Sequence, residues 1–460
     1  MIIEYLKQQF SNPTKEYRSA PFWSWNDRLD PDEIAWQIRN MKKAGIGGFF
    51  MHSREGLETP FMSEEWMRCV KAAVDSAKEM GMDAWLYDED RWPSGFGGGM
   101  VAAKIGDEGR AKLLTLVELE PGQRVEDVLS AFYIQLTDNK ITYIEPIAID
   151  DVVKEGARAI AFKREICAKS DWFNGEAYAD NLNPKSVRAF IESVYEPYYE
   201  RFGDEFGKTI PGIFTDEPNI FSGHNPGMRG VPWTDVFPQY FEQKRGYNIV
   251  ALLPYLFFDG DKSTEIRHDY WRTISELFAE AYSKQLGQWC DEHGIGFTGH
   301  YLYENEFASA IRCGGSIMPH YQYEHQPGID ILTESINETL TVKQCSSVAN
   351  QFGRTRVVSE LYGCTGWDFT FEGQKWVGDW QYALGVNLRC QHLALYSLRG
   401  CRKRDYPGSY NYNNTWWKYN KVVEDYFGRL SLVLSSGKVK RDILVIHPIE
   451  SAWCRFNGSN

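Results

Sequence analysis

The chain has 460 residues, enough for one large α/β barrel that carries insertions and a small appendage. With 50 Lys and Arg against 63 Asp and Glu, the net charge is −13. That balance repels nucleic-acid backbones and anionic lipid surfaces, and no block of five or six like charges offsets it. Hydrophobic residues make up 43%, which excludes wholesale disorder, and no run of eighteen apolar residues exists to span a membrane. The 9 cysteines are scattered without C-x-x-C spacing, which argues against a zinc site or a disulfide framework. The first residues, MIIEYLKQQFSNPTKEYRSAP, lack the apolar run of a signal peptide, so a soluble protein of the reducing cytoplasm is expected. Self-association is left open. Aromatic residues reach 15%, and flat rings stack on the C–H faces of sugars; a large aromatic core accounts for them equally well.

In chain order, SAPFWSWN (Ser19–Asn26) reads as a buried strand. Asp30 follows as an N-cap with Pro31 in the first turn, then Ile34, Ile38 and Met41 at helical spacing, and Gly45 as the stop. Gly45–Ser53 is a second strand, Ser63 to Gly81 a second helix, and Asp83–Asp90 a third strand. Such strand–helix units imply a parallel sheet. The rhythm breaks after RWPSGFGGG, where LLTLVELE, AFYIQLT, KITYIEP and ARAIAFKRE read as short β segments. It resumes with Asn183 and Pro184 at a helix start. Further strands are read at Thr209–Asn219, GIGFTGHYL, Ile329–Ser335, Arg356–Gly363 and His392–Gly400, with a second insertion at 220–262 and a long helix at 264–293. Eight strands in this order predict a (β/α)8 TIM barrel with a small β insertion after strand 3. The expected division is 1–110 for strands 1 to 3, 111–167 for the insertion and 168–438 for strands 4 to 8. At 439–460, KRDILVIHPI reads as a strand that opens a further α/β segment.

Active sites of such barrels lie at the carboxyl ends of the strands. The polar and aromatic residues just after the apolar runs are Trp23 and Trp25; His52 and Arg54; Asp88, Glu89, Asp90, Arg91 and Trp92; Asp216 and Glu217; His300 and Tyr301; Glu334; and Tyr362 beside Glu360. No phosphate-cradling loop accompanies them, and GFGGG reads as a flexible loop at the site. Glycoside hydrolysis needs one carboxylic acid at the leaving oxygen and one carboxylate across the ring. Glu217 and Glu360, after strands 4 and 7, face each other across the expected mouth, and Asp216 suits Glu217 to the acid role by raising its pKa. Glu334 is the rival carboxylate. Trp23, Trp25, Trp92 and Tyr362 are candidate stacking platforms. His52, His300, Arg54, Tyr301 and the Asp88–Arg91 run are candidate hydroxyl binders, with barrel packing and rim salt bridges as the competing account. A carbohydrate is the expected partner, and the sequence requires no cofactor.

APFWSWND, GIGGFFMHSREG, AWLYDEDRWPSGFGGG, FTDEPN and SELYG together resemble the catalytic domain of family 106 glycoside hydrolases, the α-L-rhamnosidases and their relatives. The resemblance implies an inverting glycosidase in which Glu217 matches the general acid and Glu360 the base that activates water. It also implies a calcium ion in the pocket, to which the Asp88–Arg91 acids would offer oxygens. E-P after strand 4 and S-E after strand 7 are shared with retaining β-glycosidases of the family 42 type, in which Glu360 would be the nucleophile. A sugar-binding barrel without catalysis is the reading from another class. The chain is shorter than typical family 106 members.

Overall fold

The computed structural model describes residues 2–221 and 230–458. Nine parallel segments form its barrel: β1 (Phe22–Trp25), β2 (Gly48–Ser53), β3 (Asp83–Tyr87), β8 (Gly212–Asp216), β10 (Gly296–His300), β11 (Gln326–Ile331), β12 (Val358–Leu361), β13 (Leu388–Gln391) and β14 (Ala394–Leu395). The eighth position is shared. β13 pairs with β12 (Val358 opposite Leu388), and β14 pairs with β1 (Trp23 opposite Ala394), which brings the two ends of the sheet together. The eighth strand therefore starts before His392, and 396–400 is not strand. The sixth starts at Gln326 rather than Ile329, because Pro327–Gly328 hides an extended segment that pairs with Thr298 and Gly299.

The helices follow their sequence signals. Asp30 accepts hydrogen bonds from the N–H groups of Asp32 (2.9 Å) and Glu33 (3.0 Å), Ser63 caps the helix Glu64–Met80, and Gly81 ends it in left-handed backbone. The long helix runs from Ser263 to His293 with a π turn at Ala279–Ser283.

β4 (Lys112–Leu119), β5 (Ser130–Thr137), β6 (Lys140–Ile147) and β7 (Ala159–Ile166) form an antiparallel sheet. The second insertion adds a fifth strand to it, β9 (Gly230–Trp233), paired with β4; residues 222–229 of that insertion lie outside the described residues. The strand expected within 440–449 does not form: 438–448 has no strand, and Ile443 to Ile446 are 80–86% exposed. The run has strand-forming residues but no neighbouring edge to bond with. Ile449–Trp453 is helical and anchors on the long helix and its neighbour, with the Trp453 indole N–H donating to the Gly315 carbonyl.

Side-chain alternation sorts each barrel strand into two faces. Phe22, Phe50, Trp85, Tyr87, Phe214, Val358, Leu388 and Cys390 fill the barrel interior. Trp23, Trp25, Phe49 and Leu86 belong to the outer core between strands and helices.

Candidate active site at the carboxyl ends of the strands

Two residues beyond the apolar interior layer, the same alternation delivers a second ring. His52 follows Phe50, Tyr87 follows Trp85, Asp216 follows Phe214, Glu360 follows Val358 and His392 follows Cys390. His300 and Asp330 occupy the ends of β10 and β11. The interior is thus apolar below and titratable above.

His300 is fully buried at the centre of this ring. Its Nε2 lies 3.1 Å from Asp216 Oδ1 and 4.0 Å from Asp330 Oδ2, and its Nδ1 lies 3.7 Å from Glu360 Oε2. Burial depresses the imidazole, but the contact with Asp216 and the charges of Asp216, Glu360 and Asp330 outweigh it and hold the ring well above its usual range, as imidazolium. Asp216 spends its other oxygen on the Tyr87 hydroxyl, 2.5 Å away. Burial works against its charge, yet His300, His52 and that hydroxyl keep it below the ordinary carboxylate range. Glu217 is half-buried in left-handed backbone (φ 48°), its N–H donating to the His300 carbonyl. Burial and then the charge of Asp216 push its carboxyl well up, against the pull of His300. Glu360 is raised by burial, Asp330 and Asp216, with His300 lowering it, and His392 Nε2 stands 3.4 Å from its Oε1. Burial holds His392 far below its normal value and puts His52 at about 4, so both rings are neutral. Burial brings Asp330 to about 7 and the neighbouring Glu304 to about 8.

Several expected binders lie elsewhere. Trp23 donates its indole N–H to Gln37 (2.9 Å) and Trp25 packs on Trp66, so both serve the outer core. Tyr301 packs on His320 and bonds Ser283 behind β10. Tyr362 donates its hydroxyl to the Gln374 carbonyl and stacks on Tyr410. Asp88 is buried and accepts from Ser94 (2.6 Å) and Tyr195 (2.8 Å). Glu89 is buried and accepts five backbone N–H groups, from Asp90, Gly95, Phe96, Gly97 and Gly98. That nest pins the glycine loop, which is not the flexible segment its composition suggested. Glu334 is exposed beside Thr333 and Cys364 and stands outside the carboxylate ring.

Arg54, Asp90, Arg91 and Trp92 form the rim. Arg54 makes a bidentate pair with Asp405 (2.8 and 2.9 Å) and lies 4.3 Å over Trp92, whose ring meets Trp172. Asp90 accepts from Ser53 and Asn174, and Arg91 pairs with Glu55. Sequence reading missed Asp330, Glu304, His392, Trp172 and Tyr406. Asp330 was findable, because its strand alternates inward at Gly328 and Asp330 once the strand is started at Gln326.

A calcium ion takes six to eight oxygens. Among the described residues, the groups whose donor atoms converge are Asp216–His300–Glu360 and Glu217–His300–Asp330, and each includes the His300 nitrogen. Each group offers two carboxylates and a nitrogen, a donor set short of the all-oxygen shell that calcium takes, and Glu89 has both oxygens committed to the backbone.

The family model for glycoside hydrolase family 106, described as alpha-L-rhamnosidase, matches residues 174–453, more than half of the chain. A curated relative from Formosa agariphila, named "Putative beta-glucuronidase", is 26% identical over 278 residues, which are 58% of this chain and 22% of that protein. Among solved structures, a rhamnosidase from Novosphingobium sp. PP1Y superposes with a TM-score of 0.67 at 14% identity, covering 94% of this chain and 61% of that one. Gan42B, a GH42 beta-galactosidase, gives 0.51 at 11% identity, covering 95% and 60%. At these identities the two structures speak to the fold, which is the TIM barrel of glycosidases. The chain spans about a fifth of the curated relative and three fifths of the rhamnosidase. Among the described residues no helix is long and apolar enough to cross a membrane. The family match includes Glu217, His300, Asp330 and Glu360, the centre of the ring, and the chain belongs to glycoside hydrolase family 106.

Proposed function

We propose that this chain is a glycosidase that removes a terminal sugar, α-L-rhamnoside-like, from an oligosaccharide or glycoside, with inversion. The observation that carries the reading is the pair Glu217 and Glu360, at the ends of the fourth and seventh barrel strands, both within reach of one buried imidazolium. Glu217 is half-buried at the mouth and its carboxyl is held protonated, the state needed to give a proton to the leaving glycosidic oxygen. Glu360 lies deeper; burial and Asp330 raise its carboxyl too, and the His300 ring 3.7 Å away pulls against that rise, toward the ionised form that takes a proton from water. Asp216 and His300 position and charge this pair without touching the sugar. Calcium enters no step here.

Hydrolysis of a panel of aryl glycosides, α-L-rhamnoside included, tests the reading, with NMR following the first-formed anomer. An inverted sugar is the expected product. A retained anomer makes Glu360 the nucleophile, and silence across the panel favours a barrel that binds without cutting. Glu217→Gln and Glu360→Gln should each lower kcat by about 10³-fold or more while the melting temperature holds. Near-native turnover by both variants would remove the assignment.

A further inference from the structure

Non-glycine residues in left-handed backbone are unevenly placed in this fold. Some are Asp and Asn in loops of the inserted sheet, which tolerate that conformation. Six others, Glu217, Tyr303, Thr333, Tyr362, Cys364 and Tyr406, follow barrel strands and stand around the mouth. Tyrosine has no local means of easing that backbone, and a bulky residue kept there marks a position that the surrounding structure holds against its preference.

Tyr303 (φ 62°) and Tyr406 (φ 41°) differ from Tyr362 in one respect. Tyr362 is buried, whereas Tyr303 is 54% and Tyr406 38% exposed. Both rings keep a face open to water near the buried carboxylates while their backbone is held in a conformation that tyrosine disfavours. Tyr303 stands in the loop after β10, next to buried Glu304, and Glu217 is among the charges acting on its hydroxyl after partial burial and Cys313. Tyr406 belongs to the loop after β14. Its ring lies 5.2 Å from the His392 ring, which contacts Glu360, and 5.4 Å from the Arg54 guanidinium. Glu217 also acts on its hydroxyl, after partial burial, Arg54 and Cys364. Two partly exposed rings from separate loops thus stand near Glu217, and Tyr406 also contacts the His392 ring that touches Glu360.

We propose that Tyr303 and Tyr406 form an aromatic clamp that stacks on the sugar and seats its anomeric carbon between Glu217 and Glu360. The clamp deepens the glycosidase reading and rests on it. Stacking needs the ring and not the hydroxyl, so Phe should serve where Gly does not.

Tyr303→Gly and Tyr406→Gly remove the ring and relax the backbone together. On the aryl glycoside that the wild type cleaves best, each should lower kcat/KM about 10- to 100-fold, mainly through KM, while the melting temperature stays within about 2 °C of wild type. Tyr303→Phe and Tyr406→Phe should stay within about threefold of wild-type KM. An unchanged KM in both Gly variants overturns the clamp, and so does a loss of activity that tracks a loss of stability. Calorimetry with methyl α-L-rhamnopyranoside on Glu217→Gln protein separates this proposal from the reading beneath it. Wild-type silence on every glycoside removes the hydrolase reading. The clamp then stands if the sugar binds and ring removal weakens binding at least tenfold, and falls if binding is absent or unaffected.

Discussion

His300 is the residue through which the two carboxylates sense each other. Its charge lowers the pKa of Glu217, Glu360, Asp330 and Glu304 alike. Replacing it with Gln removes that charge, so every one of these values rises. The acid limb of kcat/KM, set by deprotonation of the base, moves to higher pH; the alkaline limb, set by loss of the acid's proton, moves the same way. The expected result is a bell displaced upward in pH with a lower maximum, read from kcat/KM profiles of both proteins. A lower maximum at an unmoved optimum would reduce His300 to packing. Glu89 supports the site differently. Gln in its place would point an amide N–H2 at backbone donors that now share a carboxylate, and at least two of the five bonds from Asp90 and the loop 95–98 would be lost. Glu89→Gln should therefore cost about 2–3 kcal/mol by urea unfolding and depress turnover as well. The sequence pointed to both catalytic candidates because a carboxylate at the end of an apolar run is visible in one dimension. It could not tell Trp23 from Phe22, since either side of a strand can be apolar in a barrel that is buried on both faces.

At the scale of the element, the strands that carry Asp216, His300 and Asp330 lie unusually close. A Cβ built on Gly299 would sit 2.3 Å from the Thr215 carbonyl oxygen, and one on Gly328 would sit 2.3 Å from the Gly299 carbonyl oxygen. Neither distance is tolerable, so β8, β10 and β11 depend on glycine at their contact points. Gly299→Ala must push β10 away from β8 one residue before His300. We expect a loss of about 1–3 kcal/mol in denaturant unfolding and a fall in kcat larger than the fraction unfolded explains, because the Asp216–His300 contact is stretched. A fall in kcat that only matches the unfolded fraction would show that the spacing serves stability alone. These glycines also explain where the strand reading failed. Capped helices announce themselves by Asp30, Ser63 and Asn183, but Pro327–Gly328 reads as a turn until its neighbours are known. The same dependence on neighbours misled the reading of Ile443–Ile446, where strand-forming residues have no edge to join.

For the whole molecule, the joining of the barrel's two ends depends on contacts between residues far apart in the chain. Glu424, in the helix Lys421–Ser435, is fully buried and accepts from the Ser19 hydroxyl (2.6 Å), the Arg389 guanidinium (2.7 Å) and the Gln391 amide (3.1 Å). Arg389 is equally buried and stacks 4.1 Å from Phe427. One carboxylate thus binds the segment before β1, the strand β13 and the last helix of the barrel. Removing one member leaves a charge in the interior, and Glu424→Gln should cost about 3–5 kcal/mol in urea unfolding. Arg389→Met with Glu424→Leu removes both charges and keeps most of the volume, so the double variant should recover at least half of that loss. The pair stands on the helix side of β13, away from the carboxylate ring, so the folded fraction of either variant should keep its kcat within about twofold. If the double variant is as unstable as Glu424→Gln, the bonds to Ser19 and Gln391 hold the closure. If it recovers, the cost of the single change was the stranded arginine, and closure depends on packing between the first strand, the last strand and the last helix.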